Sequence, residues 1–334
     1  MQTKALICDE KQNFTLSDVI LPEPTSKDIL VRALYTGVSI GTEFAIIRGK
    51  LNWGPYPLCT GYQGAGVVDW AGSEVEDFKV GDKIYYRDGS KMTLADGSPV
   101  SSAAGTHCAY TLMDPKKAHG CAHAPEGINM AVAGMFVMPA VGFFGTDMAG
   151  VRMGDIVVVH GVGLIGLGVV AACTARGAVV MAVDIDDKRL AMAKKFGADY
   201  LVNSSKQDAN VELRSLGKNG ADVVFEATGI PELVEPAMQL CRERGKFVWQ
   251  GNYGSQVSFN FGLPHGKMLE MYYPCNDGLE PCRRAVTKQM AMGTLKWEET
   301  ITHCVTPEEA PDLYDRINKN NAPDVIGAVI HWSD

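Results

Sequence analysis

The sequence holds no run of apolar residues long enough to span a bilayer. The two longest, Met130 to Phe144 and Val162 to Cys173, are broken by glycine or proline. Both fall short of the roughly 20 residues a membrane helix needs. None of the nine cysteines forms a C-x-x-C pair, so they read as reduced thiols of a cytoplasmic protein and not as a disulfide frame. Positive charge is in deficit. The formal net charge of −8 at pH 7 argues against nucleic acid or an anionic membrane as a partner. No basic-then-apolar leader, internal repeat or low-complexity segment is seen. What is present is 334 residues, 46% of them hydrophobic, which is enough for two domains with their own cores.

Three glycines carry the most information. Gly161, Gly163 and Gly166 lie in Asp155-Ile-Val-Val-Val-His160-Gly-Val-Gly-Leu-Ile-Gly166. An apolar strand precedes them and an apolar helical stretch follows. The first glycine permits a tight turn, the second lets a pyrophosphate approach the backbone, and the third lets helix and strand pack closely. An acidic residue should close the next strand about twenty residues on, and Asp184 closes Ala178-Val-Val-Met-Ala-Val-Asp184. Its carboxylate accepts hydrogen bonds from a ribose diol and repels a 2′-phosphate, so NAD is favoured over NADP. Asp186 reads as the N-cap of the next helix.

The first third of the chain is β-rich, with short alternating runs punctuated by Pro22, Pro24, Gly37, Gly61 and Gly81. Around Met130 the pattern becomes a long helical apolar stretch. After Gly154 strands and helices alternate, which implies a parallel sheet covered on both faces. Pro307 to Asn318 reads as a helix and Val325 to His331 as a final strand.

This order resembles the medium-chain dehydrogenase/reductase superfamily, essentially end to end. Gly61-Tyr-Gln-Gly-Ala-Gly66 stands where that family has Gly-His-Glu-Gly-x-Gly. Lys79-Val-Gly-Asp-Lys83 and Arg152-Met-Gly-Asp155 are similar to its two "GD" turns. Arg189 to Asp199 is similar to its second coenzyme helix, Asp222 to Gly229 to the strand ending beside the nicotinamide, and Ile301-Thr-His303 with Glu309-Ala310 to its C-terminal return. The resemblance implies an α/β protein. A GroES-like β-rich catalytic domain would span 1–137 and 281–334, and a Rossmann domain with a doubly wound parallel sheet 138–280, with the active site in the cleft between them. It implies cofactor contacts from Gly161, Gly163, Leu164, Ile165, Gly166, Asp184, Arg189, Thr228 and Gly229. It also implies a homodimer or tetramer joined through the coenzyme domain, with Leu269 to Pro274 as its edge strand.

The family's metal positions are altered. The usual cysteine segment is Gly37-Val-Ser-Ile-Gly-Thr-Glu43, the usual His-Glu pair is Tyr62-Gln63, and the acidic residue before a proline is Met138. No ligand stands at these places, and the four-cysteine lobe is missing from Asp88 to Thr106. No inherited metal is therefore expected, a site rebuilt from Cys59, His107, Cys108 or Glu43 being the lesser reading. The segments resemble a zinc-less branch that includes the bacteriochlorophyllide a dehydrogenases.

Without a metal, a side chain must move the alcohol proton. Glu43, Tyr62 and His107 are the candidates. Glu43 is equally readable as a helix N-terminal charge, Tyr62 as a packed aromatic, and His107 as a packed histidine. Either Glu43 or His107 would be the acid/base, with Tyr62 holding the substrate oxygen. Ser39, Gln63 and Asn252 are the expected substrate contacts. The leading reading is an NAD-dependent, zinc-independent dehydrogenase of a secondary alcohol in a sugar, cyclitol or polyol. The alternatives are a hydroxyethyl-tetrapyrrole dehydrogenase, a quinone or enone reductase, and a redox-neutral enzyme or sensor with tightly held NAD.

Overall fold

A computed structural model describes every residue except 103, 218 and 334. The chain divides into two compact units, residues 1–137 with 287–334, and residues 138–286. The second crossing falls at 287, not at the expected 281. The helix Leu279–Ala291 begins in the second unit because Arg283 in its second turn is tied at 2.7 Å to Asp277 in the loop before it, both side chains buried.

In the first unit, Gln2–Cys8, Phe14–Ile20, Met92–Leu94, Pro99–Ser102 and Leu58–Cys59 close into a barrel. Beside it, in the same unit, a sheet runs in the order Cys121–His123, Lys83–Tyr86, Gly64–Ala71, Ile29–Val38, Gly327–His331 and Ile301–Val305, with Tyr110–Met113 also paired to Ile29–Val38. The last strand therefore lies antiparallel against an early one, with Ala328 opposite Val38 and His331 opposite Tyr35. The short helix Thr42–Ile47 buries Phe44, Ile46 and Ile47 against Leu313, Tyr314 and Ile317 of the helix Ala310–Asn318. Chain start and chain end thus share one core.

The long apolar stretch at Met130 does not form one helix. It breaks into Met130–Ala133 and Val137–Ala149. Gly134 lies tight against the Tyr35 backbone, where a Cβ would sit 3.0 Å from the carbonyl oxygen.

The second unit is a six-stranded parallel sheet in the order Tyr200–Asn203, Val179–Asp184, Ile156–His160, Ala221–Glu226, Cys241–Trp249, Glu270–Tyr272. From Ile156–His160 the chain first winds one way and then returns to the other side. The strand order reverses between Ile156–His160 and Ala221–Glu226, and ligands of such sheets bind outside the carboxyl ends at that point. Among the described residues no helix is long and apolar enough to cross a membrane.

Candidate functional site

The strand Ile156–His160 is buried at every position and runs into Gly161, whose φ is +91°, a value that glycine takes without steric cost. A Cβ at Gly166 would collide with the Gly161 carbonyl. Gly163 is the N-cap of the helix Leu164–Ala175, which no side chain caps, and the space around its Cα is open. The first N–H groups of that helix are therefore left for an anion. Leu164 is buried and Ile165 half-buried, so both contribute to the loop chiefly through backbone.

Asp184 is only 8% exposed. Its carboxylate accepts N–H hydrogen bonds from Val162 at 2.9 Å, Ile185 at 2.8 Å and Asp186 at 3.1 Å. A carboxylate offers about four acceptor positions, so room remains for a hydroxyl. Asp186 is the N-cap of Asp187–Lys195, accepting from the N–H groups of Lys188 and Arg189, and Arg189 is exposed on that helix. These residues fit a dinucleotide.

Glu226, the last residue of its strand, is fully buried. It accepts hydrogen bonds from the Thr228 N–H, the Thr228 hydroxyl and the Tyr253 hydroxyl. Its carbonyl accepts the N–H groups of Gln250 and Gly251. One carboxylate thus sets the loops that carry Thr228, Gly229 and Asn252, and Asn252 itself is exposed. In the sequence Glu226 is visible only as part of the Asp222 to Gly229 motif. His160 is opposite Glu226 in the register, with its Nδ1 3.9 Å away, and burial holds its imidazole below the ordinary value against the charges of Glu226 and Asp184.

In the first unit the sequence candidates converge on two connected groups. Gly61, at φ +86°, would bring a Cβ to 2.7 Å from the His107 ring, so its bareness lets the Tyr62 segment lie against His107. His107 Nε2 is 3.0 Å from Glu43 Oε2, and both residues are 0% exposed. His107 Nδ1 is 2.8 Å from Thr36 Oγ1, which also accepts from Trp332 Nε1 at 2.8 Å. Tyr314 donates its hydroxyl to Glu43 Oε2 at 2.7 Å and lies 2.6 Å from His107 Nε2. No local sequence pattern marks Thr36, Tyr314 or Trp332 as partners of this cluster.

Glu43 Oε1 accepts the Ser39 N–H at 2.7 Å. Burial would raise the Glu43 carboxyl. The charge and hydrogen bond of His107, with those from Ser39 and Tyr314, outweigh it and hold the group below its ordinary value. The second group is Tyr62, partly exposed, which donates its hydroxyl to Ser39 Oγ at 2.5 Å. Glu43 and His107 are sealed from solvent with their polar atoms engaged, while Tyr62 keeps an exposed portion. Gln63 is also sealed: its Oε1 accepts the Val137 N–H at 3.1 Å, while Nε2 is buried without a partner.

The donor set does not fit zinc. Tyr62, which the family resemblance puts in place of a histidine, is bonded to Ser39, in the segment where it puts a cysteine. Both ring nitrogens of His107 are engaged. Burial pushes the Cys108 thiol up to about 12 and the Cys59 thiol well above its ordinary value, whereas zinc is bound by thiolate. Among the described residues no group of three or more His, Cys, Asp or Glu is arranged to hold a metal ion.

Comparison with known proteins gives two family matches. Residues 25–126 match the model described as alcohol dehydrogenase GroES-like domain, and residues 165–272 the one described as zinc-binding dehydrogenase. Sorbitol dehydrogenase 1 of Saccharomyces cerevisiae is 30% identical over 296 residues, covering 82% of each chain. Among solved structures, a zinc-binding dehydrogenase of Sinorhizobium meliloti bound to NADP superposes with a TM-score of 0.84 at 22% identity over 99% of each chain. An alcohol dehydrogenase of Escherichia coli CFT073 complexed with NADH does so with a TM-score of 0.84 at 20% identity over 99% of each chain.

Proposed function

The chain belongs to the medium-chain dehydrogenase/reductase superfamily, and from that premise we propose that it is an NAD-dependent, zinc-independent oxidoreductase of a secondary alcohol, or the matching ketone, in a polyol or sugar. That it is an oxidoreductase of alcohols follows from its relatives. The finer reading rests on its own residues.

The observation that carries it is the hydrogen bond from Tyr62 to Ser39. It occupies the two positions where this family's metal ligands stand, and it presents a phenol in place of a Lewis acid. Tyr62 is the group that meets the substrate oxygen. Ser39 aims it, and the buried Glu43–His107–Tyr314 cluster holds Ser39 through its N–H. Glu43 and His107 act through Tyr62 and not by touching substrate. Burial, the largest influence, pushes the Tyr62 phenol above its ordinary value. A protonated phenol at neutral pH suits it to give a proton to the oxygen of a ketone undergoing reduction. The reverse reaction returns that proton to the phenol oxygen.

A pyridine dinucleotide with its pyrophosphate at the Gly161–Gly166 loop would supply the hydride acceptor or donor. Asp184, with an acceptor position left for a ribose hydroxyl and a charge opposed to a 2′-phosphate, supports NAD over NADP. Nine free cysteines support a cytoplasmic setting.

The test is an assay of erythritol, sorbitol, xylitol and their ketoses with each cofactor. Tyr62→Phe should lower turnover about 10²–10⁴-fold with NAD affinity nearly unchanged. Glu43→Gln and His107→Asn should lower it less. Full activity in Tyr62→Phe overturns the proton assignment, and equal use of NADP overturns the cofactor assignment.

A further inference from the structure

Two opposite charges act on Tyr62, those of Glu43 and Arg87. Glu43 is fully buried on the helix that follows Ser39. Arg87, directly after the strand Lys83–Tyr86, sets its guanidinium carbon 5.5 Å from the centre of the Tyr62 ring. The Arg87 backbone is fixed there by its N–H bond to the Gly120 carbonyl at 2.7 Å. A cation at that distance from a ring face is attracted to the neutral phenol, and far more strongly to a phenolate.

We infer that Arg87 is a positioning residue for proton transfer, steadying negative charge on the Tyr62 oxygen. The inference rests on the reading of Tyr62 as the proton carrier. In alcohol oxidation the substrate O–H bond breaks and its proton joins the phenolate oxygen. The electron pair of that bond becomes part of the new carbonyl, and the carbon's hydrogen leaves as hydride to the pyridine nucleotide. The phenol must therefore lose a proton before each oxidative turnover. The charged groups that bear on it are Glu43, which opposes ionisation, and Arg87, which favours it; the Ser39 and Thr42 hydroxyls favour it as hydrogen-bond partners. Without Arg87 no positive charge offsets the buried carboxylate, and only the two hydroxyls favour ionisation.

A test needs no known substrate. Ultraviolet tyrosinate titration of wild type against Tyr62→Phe isolates the ionisation of Tyr62 by difference. Titration of Arg87→Met against the Arg87→Met, Tyr62→Phe double variant isolates it without the guanidinium. An opposite charge beside a titrating group favours its charged form, so the Tyr62 midpoint should rise measurably in Arg87→Met. Arg87→Lys, which keeps the charge, should recover most of the shift. The acid limb of sorbitol oxidation, where the phenol regains its proton, should move to higher pH with it. Identical Tyr62 midpoints with and without Arg87 overturn the inference even where Tyr62→Phe is inactive. An active Tyr62→Phe enzyme instead removes the reading beneath it.

Discussion

Tyr314 donates its hydroxyl hydrogen to Glu43 across 271 residues of sequence, at 2.7 Å and with both side chains fully buried. The contact joins the helix Ala310–Asn318 to the helix Thr42–Ile47. It adds a polar tie to a shared apolar core.

Removing that donor leaves a buried carboxylate oxygen under-satisfied, which costs about 1–3 kcal/mol. Tyr314→Phe should lose stability of that order in chemical denaturation. The pH dependence is sharper. Glu43 is held below its ordinary value of 4.5, first against burial, chiefly by His107. A depressed carboxyl stabilises the fold above its unfolded value, and that stability fades as pH falls through the folded one. Wild type should therefore weaken below about pH 4. In His107→Asn burial dominates and the sign reverses, so stability should be lower at neutral pH and recover on mild acidification. Parallel pH profiles for the two proteins would refute the coupling.

The same pair marks the limit of what the sequence reveals. The Gly161–Gly166 turn and Asp184 are legible because each requirement is local: a positive φ, a close backbone approach, a strand end. The Asp186 cap is legible for the same reason. Tyr314 is not, because nothing near it in sequence hints that Glu43 lies beside it. Gln63 and His107 read as cleft residues from their motif positions, yet both are sealed inside the first unit. Burial depends on the strand pairing around them, which a motif does not encode. Glu226 stood within a recognised motif, but its grip on Thr228 and Tyr253 needs the loops after two adjacent strands.

Asp184 should set cofactor choice. A hydrogen bond to a charged group contributes about 1.5–3 kcal/mol, so Asp184→Ala should weaken NAD binding roughly tenfold to a hundredfold and narrow its advantage over NADP. The substitution also strips three backbone N–H groups of their acceptor. A thermal melt of the free variant separates that loss from the binding effect. Equal affinity of the wild type for both cofactors, by calorimetry, would sink the assignment.

Metal analysis gives an independent check. Cys59 and Cys108 are held as thiols by burial, and the Ser39–Tyr62 bond fills the place of two ligands. Untagged protein should carry well below one zinc per chain, and a chelator should leave activity intact. Stoichiometric zinc lost together with activity would show that the cluster rearranges around a metal.

The final prediction concerns assembly. Leu269 to Pro274 reads as an edge strand, and the ladder is formed by Glu270–Tyr272 on the outer side of Cys241–Trp249. The strand is shorter than its apolar pattern because Pro274 has no N–H to pair. Among the described residues its outer edge has no partner strand in the sheet order, and Tyr273 just beyond it is 62% exposed. An apolar edge left open invites pairing with another chain. The same strand of a second copy can meet it about a two-fold axis, making one continuous sheet. Light scattering should find a dimer or tetramer at micromolar concentration. Met271→Pro removes a backbone donor from the edge and should shift the population to monomer with the coenzyme loop still able to bind NAD. A wild-type monomer under those conditions would overturn the assignment of this edge as the interface.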